Sequence, residues 1–118
     1  MSNASSNIID VLARVFVDDL DEALPYYEAL TGSTAQRFGF RDVELARVGH
    51  FLLLAGNTAS YRDRVATVEV ADLSPVLQAV DAEGGAVVEG PTGGPNGRRL
   101  IAKHPDGAVF EYIEARTE

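Results

Sequence analysis

Near the C-terminus the chain carries a cluster of side chains that could bind a metal ion or transfer protons. The stretch HPDGAVFEYIE contains His104, Asp106, Glu111 and Glu114. Imidazole nitrogens and carboxylate oxygens are common ligands of divalent metals, and either group can act as a general acid or base. An open metal site needs about three protein ligands. The chemistry of this stretch therefore depends on what the rest of the chain places beside Glu111.

Other candidates for acid–base or phosphate chemistry have simpler interpretations. His104 stands at the start of a Pro-Asp-Gly turn and Asp106 lies within it, which favours exposed turn positions for both. His50 follows Gly49 and is expected at a strand start or in a turn. The run GPTGGPNG lacks the lysine and the following helix of a phosphate-binding loop, so we interpret it as a flexible loop. The chain contains no cysteine, which excludes thiolate ligands and cysteine nucleophiles.

Composition limits the possible partners and compartment. A chain of 118 residues with 46% hydrophobic residues is long enough for one globular domain, and it has no apolar run of the length that spans a bilayer. A net charge of −8 disfavours nucleic acid and anionic membranes as partners. Without cysteine or a basic-then-apolar leader, the protein is expected to be cytoplasmic. We expect residues 1–10 to be disordered or a non-native remnant, and residues 11–115 to form the domain.

An internal repeat organises this domain. Aligning Leu12–Gly32 with Val65–Gly85 gives eight identities in 21 positions. Each copy begins with a period-two apolar pattern that predicts a strand, continues with a helical period, and ends at a glycine that can terminate a helix. We expect the first helix to begin near Asp21, with Pro25 in its first turn, and the second to begin with Ser74 as N-cap. Three strand-like runs follow each helix, so the sequence predicts two βαβββ modules, 11–55 and 64–115, in an α+β fold whose sheets form a shared cleft.

The duplicated plan and two of its motifs resemble a known superfamily. VDDLDEALPYYEALTG and HPDGAVFEYIE are similar to the signatures of the vicinal oxygen chelate proteins, which include glyoxalase I, extradiol dioxygenases and bleomycin resistance proteins. The resemblance implies this fold, and for the enzymes a divalent metal held by one side chain on the first and last strand of each half. The corresponding positions here are Leu12, Leu53, Val65 and Glu111. Because only Glu111 can ligate, we expect no metal and no other cofactor.

Strand alternation then predicts the contents of the cleft. Small apolar residues of one parity, such as Val15 and Val68, should pack under the helices, and the opposite parity should face the cleft. That parity predicts a mostly apolar cup with one arginine and two carboxylates. The predicted ligand-binding residues are Arg14, Phe16, Phe38, Phe40, Phe51, Leu53, Glu69 and Glu111. Arg14 could equally form a structural ion pair with Glu69 or Glu111.

These residues lead to a functional hypothesis with open alternatives. A cup without a metal resembles the bleomycin resistance branch, whose members are homodimers. We therefore expect a homodimeric, metal-free protein that binds an aromatic or partly apolar small molecule, such as an antibiotic that it sequesters. The alternative is a glyoxalase-like or dioxygenase-like enzyme, either with non-standard metal ligands or metal-free with Glu111 or Glu69 as the base. A regulatory domain or subunit without a ligand is a third possibility.

Overall fold

The computed structural model describes residues 6–115, which form eight strands, two α-helices and one 3₁₀-helix. The order strand, helix, three strands occurs twice, which confirms the predicted α+β class with tandem βαβββ modules. The first module comprises β1 (Ile8–Phe16), α1 (Leu20–Thr31), β2 (Gln36–Phe40), β3 (Val43–Val48) and β4 (Phe51–Gly56). The 3₁₀-helix (Ala59–Tyr61) follows, and the second module comprises β5 (Arg64–Val70), α2 (Ser74–Ala82), β6 (Ala86–Gly94), β7 (Gly97–Lys103) and β8 (Val109–Ala115).

The chain forms two compact units that follow the repeat closely. One unit comprises Leu12–Asp63, where the strand order is β2-β3-β4-β1 and β1 runs parallel to β4. The other begins at Arg64 and also includes the N-terminal residues up to Val11; its strand order is β5-β8-β7-β6, with β5 parallel to β8. Each parallel pair joins the first and last strands of a module, so the predicted site residues of these strands lie on adjacent strands, while Phe38 and Phe40 lie on β2.

Two boundaries differ from the sequence-based expectation. Strand β1 begins at Ile8, and the backbone oxygen of Asn7 accepts a hydrogen bond from the Ala71 N–H, so regular structure starts before residue 11, where the domain was expected to begin. Residues 1–5 and 116–118 lie outside the described part of the chain. Strand β6 continues through most of the run expected to be a flexible loop and pairs with β7 as far as Gly94. Two register shifts along β6 accommodate its glycines and proline, because a bulge tolerates residues that interrupt a regular ladder.

The two helices begin in the same way because the repeat places an aspartate before each. The carboxylate of Asp19 accepts a hydrogen bond from the Asp21 backbone N–H at 2.8 Å, and that of Asp72 accepts from the Ser74 N–H at 2.9 Å. Each aspartate satisfies a helical N–H that has no partner within the helix. The expected Ser74 N-cap is therefore wrong, since α2 already includes Ser74 and its N-cap position is Leu73. Pro25 lies inside α1 beyond its first turn, because α1 begins at Leu20.

Each helix covers one face of its own four-stranded sheet. Under α1 lies a cluster formed by Leu20, Leu24, Ala46, Val48, Leu53 and Ala55, and under α2 a cluster formed by Val68, Val70, Leu73, Val80, Leu100 and Ala102. The opposite face of each sheet carries the side chains of the other parity. Neither helix among residues 6–115 has the length and apolar character needed to cross a membrane.

Candidate functional site

The first module presents an apolar face opposite α1 that is rich in aromatic rings. Strand pairing brings Phe38 beside Leu45, and Leu45 beside Leu54, so these side chains form a continuous layer. Phe16, Phe38 and Phe40 are half-buried, as is Tyr61 of the 3₁₀-helix. We call this surface the aromatic face; it consists of Leu12, Phe16, Phe38, Phe40, Val43, Leu45, Leu52, Leu54 and Tyr61.

Cationic side chains lie against the rings of the aromatic face. The guanidinium carbon of Arg62 is 4.6 Å from the centroid of the Phe16 ring, and that of Arg41 is 4.6 Å from the Phe40 ring. Arg14 donates a hydrogen bond to the Tyr61 carbonyl oxygen at 3.0 Å. A ring with a guanidinium above it favours a flat ligand that carries an acceptor or negative charge at its edge. Sequence reasoning identified Arg14 but missed the arginines and the tyrosine supplied by loops and the 3₁₀-helix.

The predicted position of Phe51 and Leu53 is wrong. Both pack in the cluster under α1, where the Phe51 ring meets the Tyr27 ring edge-on at 5.2 Å and Leu53 is 0% exposed. The apolar run FLLLA has no alternation, because Leu52, Leu53 and Leu54 are all buried and serve both faces of the sheet. Leu52 and Leu54 are the residues of β4 that belong to the aromatic face.

The second module places a group of charged and polar side chains on the face opposite α2. Glu111 is 8% exposed and accepts a hydrogen bond from the Thr67 hydroxyl at 2.7 Å. The Nε of Arg99 lies 3.3 Å from the other carboxylate oxygen of Glu111, while its terminal nitrogen donates to Glu89 at 2.8 Å. We call Thr67, Glu89, Arg99 and Glu111 the charged cluster. Glu69, half-buried, has the same parity as Thr67 on β5 and so lies on the same sheet face.

Sequence reasoning missed two members of the charged cluster, Glu89 and Arg99, and Arg99 is the more deeply buried. It is 3% exposed, and it sits one residue from Leu100, which packs under α2, so alternation places it on the opposite face. The pairing of Ile101 with Glu111 brings β7 against β8 and puts the Arg99 side chain within reach of Glu111. The sequence could have indicated this position, because the alternation of RRLIAK places its second arginine, Arg99, on the same sheet face as Glu111.

The residues at the metal positions of this fold do not form a metal site. Thr67 pairs with Glu111, and its repeat counterpart Arg14 pairs with Leu52, so the counterpart of Glu111 in the first module is Leu52 rather than Leu53. Leu12, Leu52 and Val65 have no donor atoms, and the Glu111 oxygens bind Thr67 and Arg99. Across residues 6–115, no three His, Asp or Glu side chains are grouped in a way that could hold an ion.

The other residues of the HPDGAVFEYIE stretch are structural or lie elsewhere. Asp106 accepts a hydrogen bond from the Ala108 N–H at 2.9 Å, as expected of a turn residue. Glu114 accepts from the Leu73 N–H at 2.9 Å and pairs with Arg98; this hydrogen-bonded guanidinium, with the Leu73 N–H, holds the Glu114 pKa below its ordinary value. His104 differs from the expectation of an exposed turn residue, because its ring is half-buried and stacks on Phe110.

Comparison with known proteins supports the fold described above. A family model described as the Glyoxalase/Bleomycin resistance protein/Dioxygenase superfamily matches residues 8–112. An uncharacterized protein from Methanosarcina mazei is 34% identical, with a TM-score of 0.89 over 96% of this chain and 97% of that one. No curated protein matches the chain.

Two further solved structures share the fold at low identity. Methylmalonyl-CoA epimerase from Mycobacterium tuberculosis is 18% identical, with a TM-score of 0.71 over 98% of this chain and 94% of that one. A methylmalonyl-CoA epimerase in complex with methylmalonyl-CoA and NH4+ is 19% identical, with a TM-score of 0.67 over 92% of this chain and 94% of that one. At this level of identity the likeness concerns the fold alone.

Proposed function

We propose that this chain, which belongs to the Glyoxalase/Bleomycin resistance protein/Dioxygenase superfamily, is a metal-free binding protein for an aromatic or partly apolar small molecule. The observation that carries the proposal is the state of Glu111. This carboxylate stands where the metal enzymes of the fold have a ligand, but it accepts hydrogen bonds from Thr67 and Arg99. The Arg99 guanidinium places a positive charge beside Glu111. The other positions that carry metal ligands in those enzymes are leucine or valine in this chain.

The aromatic face is the proposed ligand-binding surface of the first module. Half-buried rings can stack on a flat ligand, and such contacts add to the free energy of burying apolar area. Arg14, Arg41 and Arg62 lie beside these rings and favour a ligand with an acceptor or anionic group. Aromatic antibiotics have this combination of flat rings and polar edges, so sequestration of such a compound is the proposed role. Phe51 and Leu53 take no part in binding, because they pack under α1.

Calorimetric titration with a panel of aromatic antibiotics tests this function, with a pair of phenylalanine variants as its control. Phe16→Ala removes a ring of the aromatic face and is expected to weaken binding about 5- to 150-fold, which corresponds to a loss of about 1–3 kcal/mol. Phe51→Ala removes an equally half-buried ring from the helix side. It should lower the melting temperature and leave the dissociation constant of the folded protein within about twofold.

Metal content and chemical change of the bound compound decide between binding and catalysis. Elemental analysis of the purified protein should find no stoichiometric zinc, nickel, iron or manganese, and a bound compound should be recovered intact. Finding such a metal would contradict the proposal. So would equal effects of Phe16→Ala and Phe51→Ala on affinity.

A metal-free enzyme is the second candidate, and the two carboxylates of the second module favour it. Glu111 is almost buried and Glu69 is half-buried on the same sheet face, where either could remove a proton from a bound substrate. If the wild-type protein transforms a compound and Glu111→Gln or Glu69→Gln does not, this candidate replaces the first. Both carboxylate oxygens of Glu111 already accept hydrogen bonds, one from Thr67 and one from Arg99.

Homodimer formation is part of the proposal. The start of β1 exposes large apolar side chains, with Ile9 55% exposed and Ile8 and Val11 each 50%. Apolar side chains on an exposed strand are commonly covered by a second copy. Light scattering is expected to give about twice the chain mass of 12.6 kDa. Ile9→Lys should shift the mass to the monomer, whereas Leu30→Lys, at an equally exposed position on α1, should not. A wild-type monomer at micromolar concentration would contradict this assembly.

A further inference from the structure

The second unit contains a pocket on the helix side of its sheet, on the other face from the charged cluster. Its volume is about 460 Å³, and its walls come from α2, the residues that precede β1, the turn after β7, and β8. Pockets that hold small molecules in proteins measure roughly 300–1,000 Å³ and are mostly apolar. The walls that the argument uses are formed by Asn7, Val76, Ala79, Val80, His104 and Tyr112.

The wall formed by Asn7 is fixed in place by hydrogen bonds. The Asn7 side-chain amide donates to the Asp72 carbonyl oxygen at 2.8 Å, and its side-chain oxygen accepts from the Asp72 N–H at 3.0 Å. Its backbone oxygen accepts from the Ala71 N–H at 2.9 Å. On the opposite wall Val80 packs in the core under α2, while the methyl side chain of Ala79 leaves room for an occupant. The pocket is thus bounded by fixed elements rather than by loose chain.

His104 and Tyr112 supply the hydrogen-bonding group of the pocket. The Nε2 of His104 lies 2.6 Å from the Tyr112 hydroxyl oxygen, and the imidazole stacks on the Phe110 ring with a centroid distance of 4.4 Å. Burial raises the pKa of the Tyr112 hydroxyl, which therefore stays protonated at neutral pH. If the hydroxyl donates to Nε2, the imidazole proton is on Nδ1. If Nε2 donates instead, the hydroxyl proton is free. In either arrangement one N–H or O–H of the His104–Tyr112 pair is not used within the pair and can donate to a ligand.

We propose that this helix-side pocket is a second binding site, which takes a small, neutral, mostly apolar molecule with a hydrogen-bond acceptor such as a carbonyl oxygen. The apolar walls from α2 would bury the body of the ligand, and the His104–Tyr112 pair would donate to its acceptor. A carboxylate ligand is disfavoured because Glu83 also lines the pocket and the chain has a net charge of −8. The site does not depend on the aromatic face, which belongs to the other unit.

Two probes of nearly equal shape test the proposed hydrogen bond. Acetophenone carries a carbonyl oxygen, and ethylbenzene has a similar ring and chain without an acceptor. Titration of the ¹⁵N-labelled protein with each probe, followed by amide chemical shifts, should perturb Ala79, Val80 and His104. We expect acetophenone to bind about three- to tenfold more tightly than ethylbenzene, as one hydrogen bond in a pocket commonly provides. Equal affinities would overturn the assigned role of the pair.

Two variants, each with a matched control, locate the site. Ala79→Phe fills the pocket and should abolish the shifts, whereas Ala82→Phe, on the same helix but not among the lining residues, should leave them. Tyr112→Phe combined with His104→Leu removes both polar groups and should reduce the affinity for acetophenone to that for ethylbenzene, whereas Tyr26→Phe, at an exposed position on α1, should not. Retained shifts in a folded Ala79→Phe protein, or shifts confined to the aromatic face, would contradict the proposal. Loss of the aromatic face by Phe16→Ala should not affect this binding.

Discussion

Replacing Arg99 with methionine should destabilise the protein strongly, because the guanidinium is the shared partner of two carboxylates. The Arg99 side chain is 4% exposed and contacts Glu111 at 3.3 Å and Glu89 at 2.8 Å. Removing one partner of a buried ion pair typically costs about 3–5 kcal/mol. The loss is reduced here, since the Glu89 side chain is 33% exposed and can be rehydrated, and Thr67 still donates to Glu111. We therefore expect Arg99→Met to lower the free energy of unfolding by about 2–4 kcal/mol.

Urea denaturation at neutral pH, followed by circular dichroism, measures this loss, and a double-mutant cycle assigns it to the ion pair. Glu111→Gln keeps the shape of the side chain and removes its charge. If the two groups interact as the structure shows, Arg99→Met combined with Glu111→Gln should cost at least about 1 kcal/mol less than the sum of the single changes. Arg98→Met is the control, because the neighbouring Arg98 side chain is 54% exposed and its loss should cost much less. Additive effects, or equal losses for the two arginines, would refute the reasoning.

Two further predictions concern pH and backbone conformation. Hydrogen bonding to Arg98 lowers the Glu114 pKa in the folded state, so the stability that the ionised Glu114 provides is complete above its ordinary pKa of 4.5 and is lost as pH falls through the lower folded pKa. Glu114→Gln should therefore reduce the fall in urea midpoint below about pH 4.5. An unchanged fall in the midpoint with pH would contradict this. Gly56→Ala should destabilise the protein more than Gly32→Ala in the same denaturation assay. Both glycines have positive φ, at +95° and +69°, and alanine in that conformation costs about 1–2 kcal/mol. Of the two, Gly56 alone would place a Cβ 2.8 Å from a backbone oxygen, that of Asp42.

The internal repeat predicted most of the fold because both copies keep the residues that pack under a helix or cap its start. Val15 and Val68 pack under their helices, and Asp19 and Asp72 each accept a hydrogen bond at a helix start. These roles depend on local pattern and residue type, which one sequence displays. The predicted helix starts were each one residue too late, since α1 begins at Leu20 and α2 at Ser74. Helix boundaries are commonly uncertain by a residue or two.

The predicted site was less accurate where both faces of a strand are apolar. In the run FLLLA every leucine is buried, so parity could not show that Leu53 packs under α1 and Leu52 faces the other side. Tyr61 and Arg62 reach the aromatic face from a segment whose path depends on tertiary packing. Arg99 could have been found, because its parity and its antiparallel pairing with β8 both follow from the pattern of the last three strands.

The two modules agree where they support their helices and differ on the opposite sheet faces. Most positions identical in both copies lie in the helix-side clusters or at the helix starts and ends. The cluster pairs are Val15 and Val68, Val17 and Val70, Leu20 and Leu73, and Leu24 and Leu77. On the opposite faces, the corresponding pairs all differ: Leu12 and Val65, Arg14 and Thr67, Phe16 and Glu69, and Leu52 and Glu111. A metal centre built symmetrically from both halves requires donors at equivalent positions, and these pairs do not provide them. The first module instead presents rings beside arginines, and the second holds the Glu111 carboxylate paired internally with Arg99.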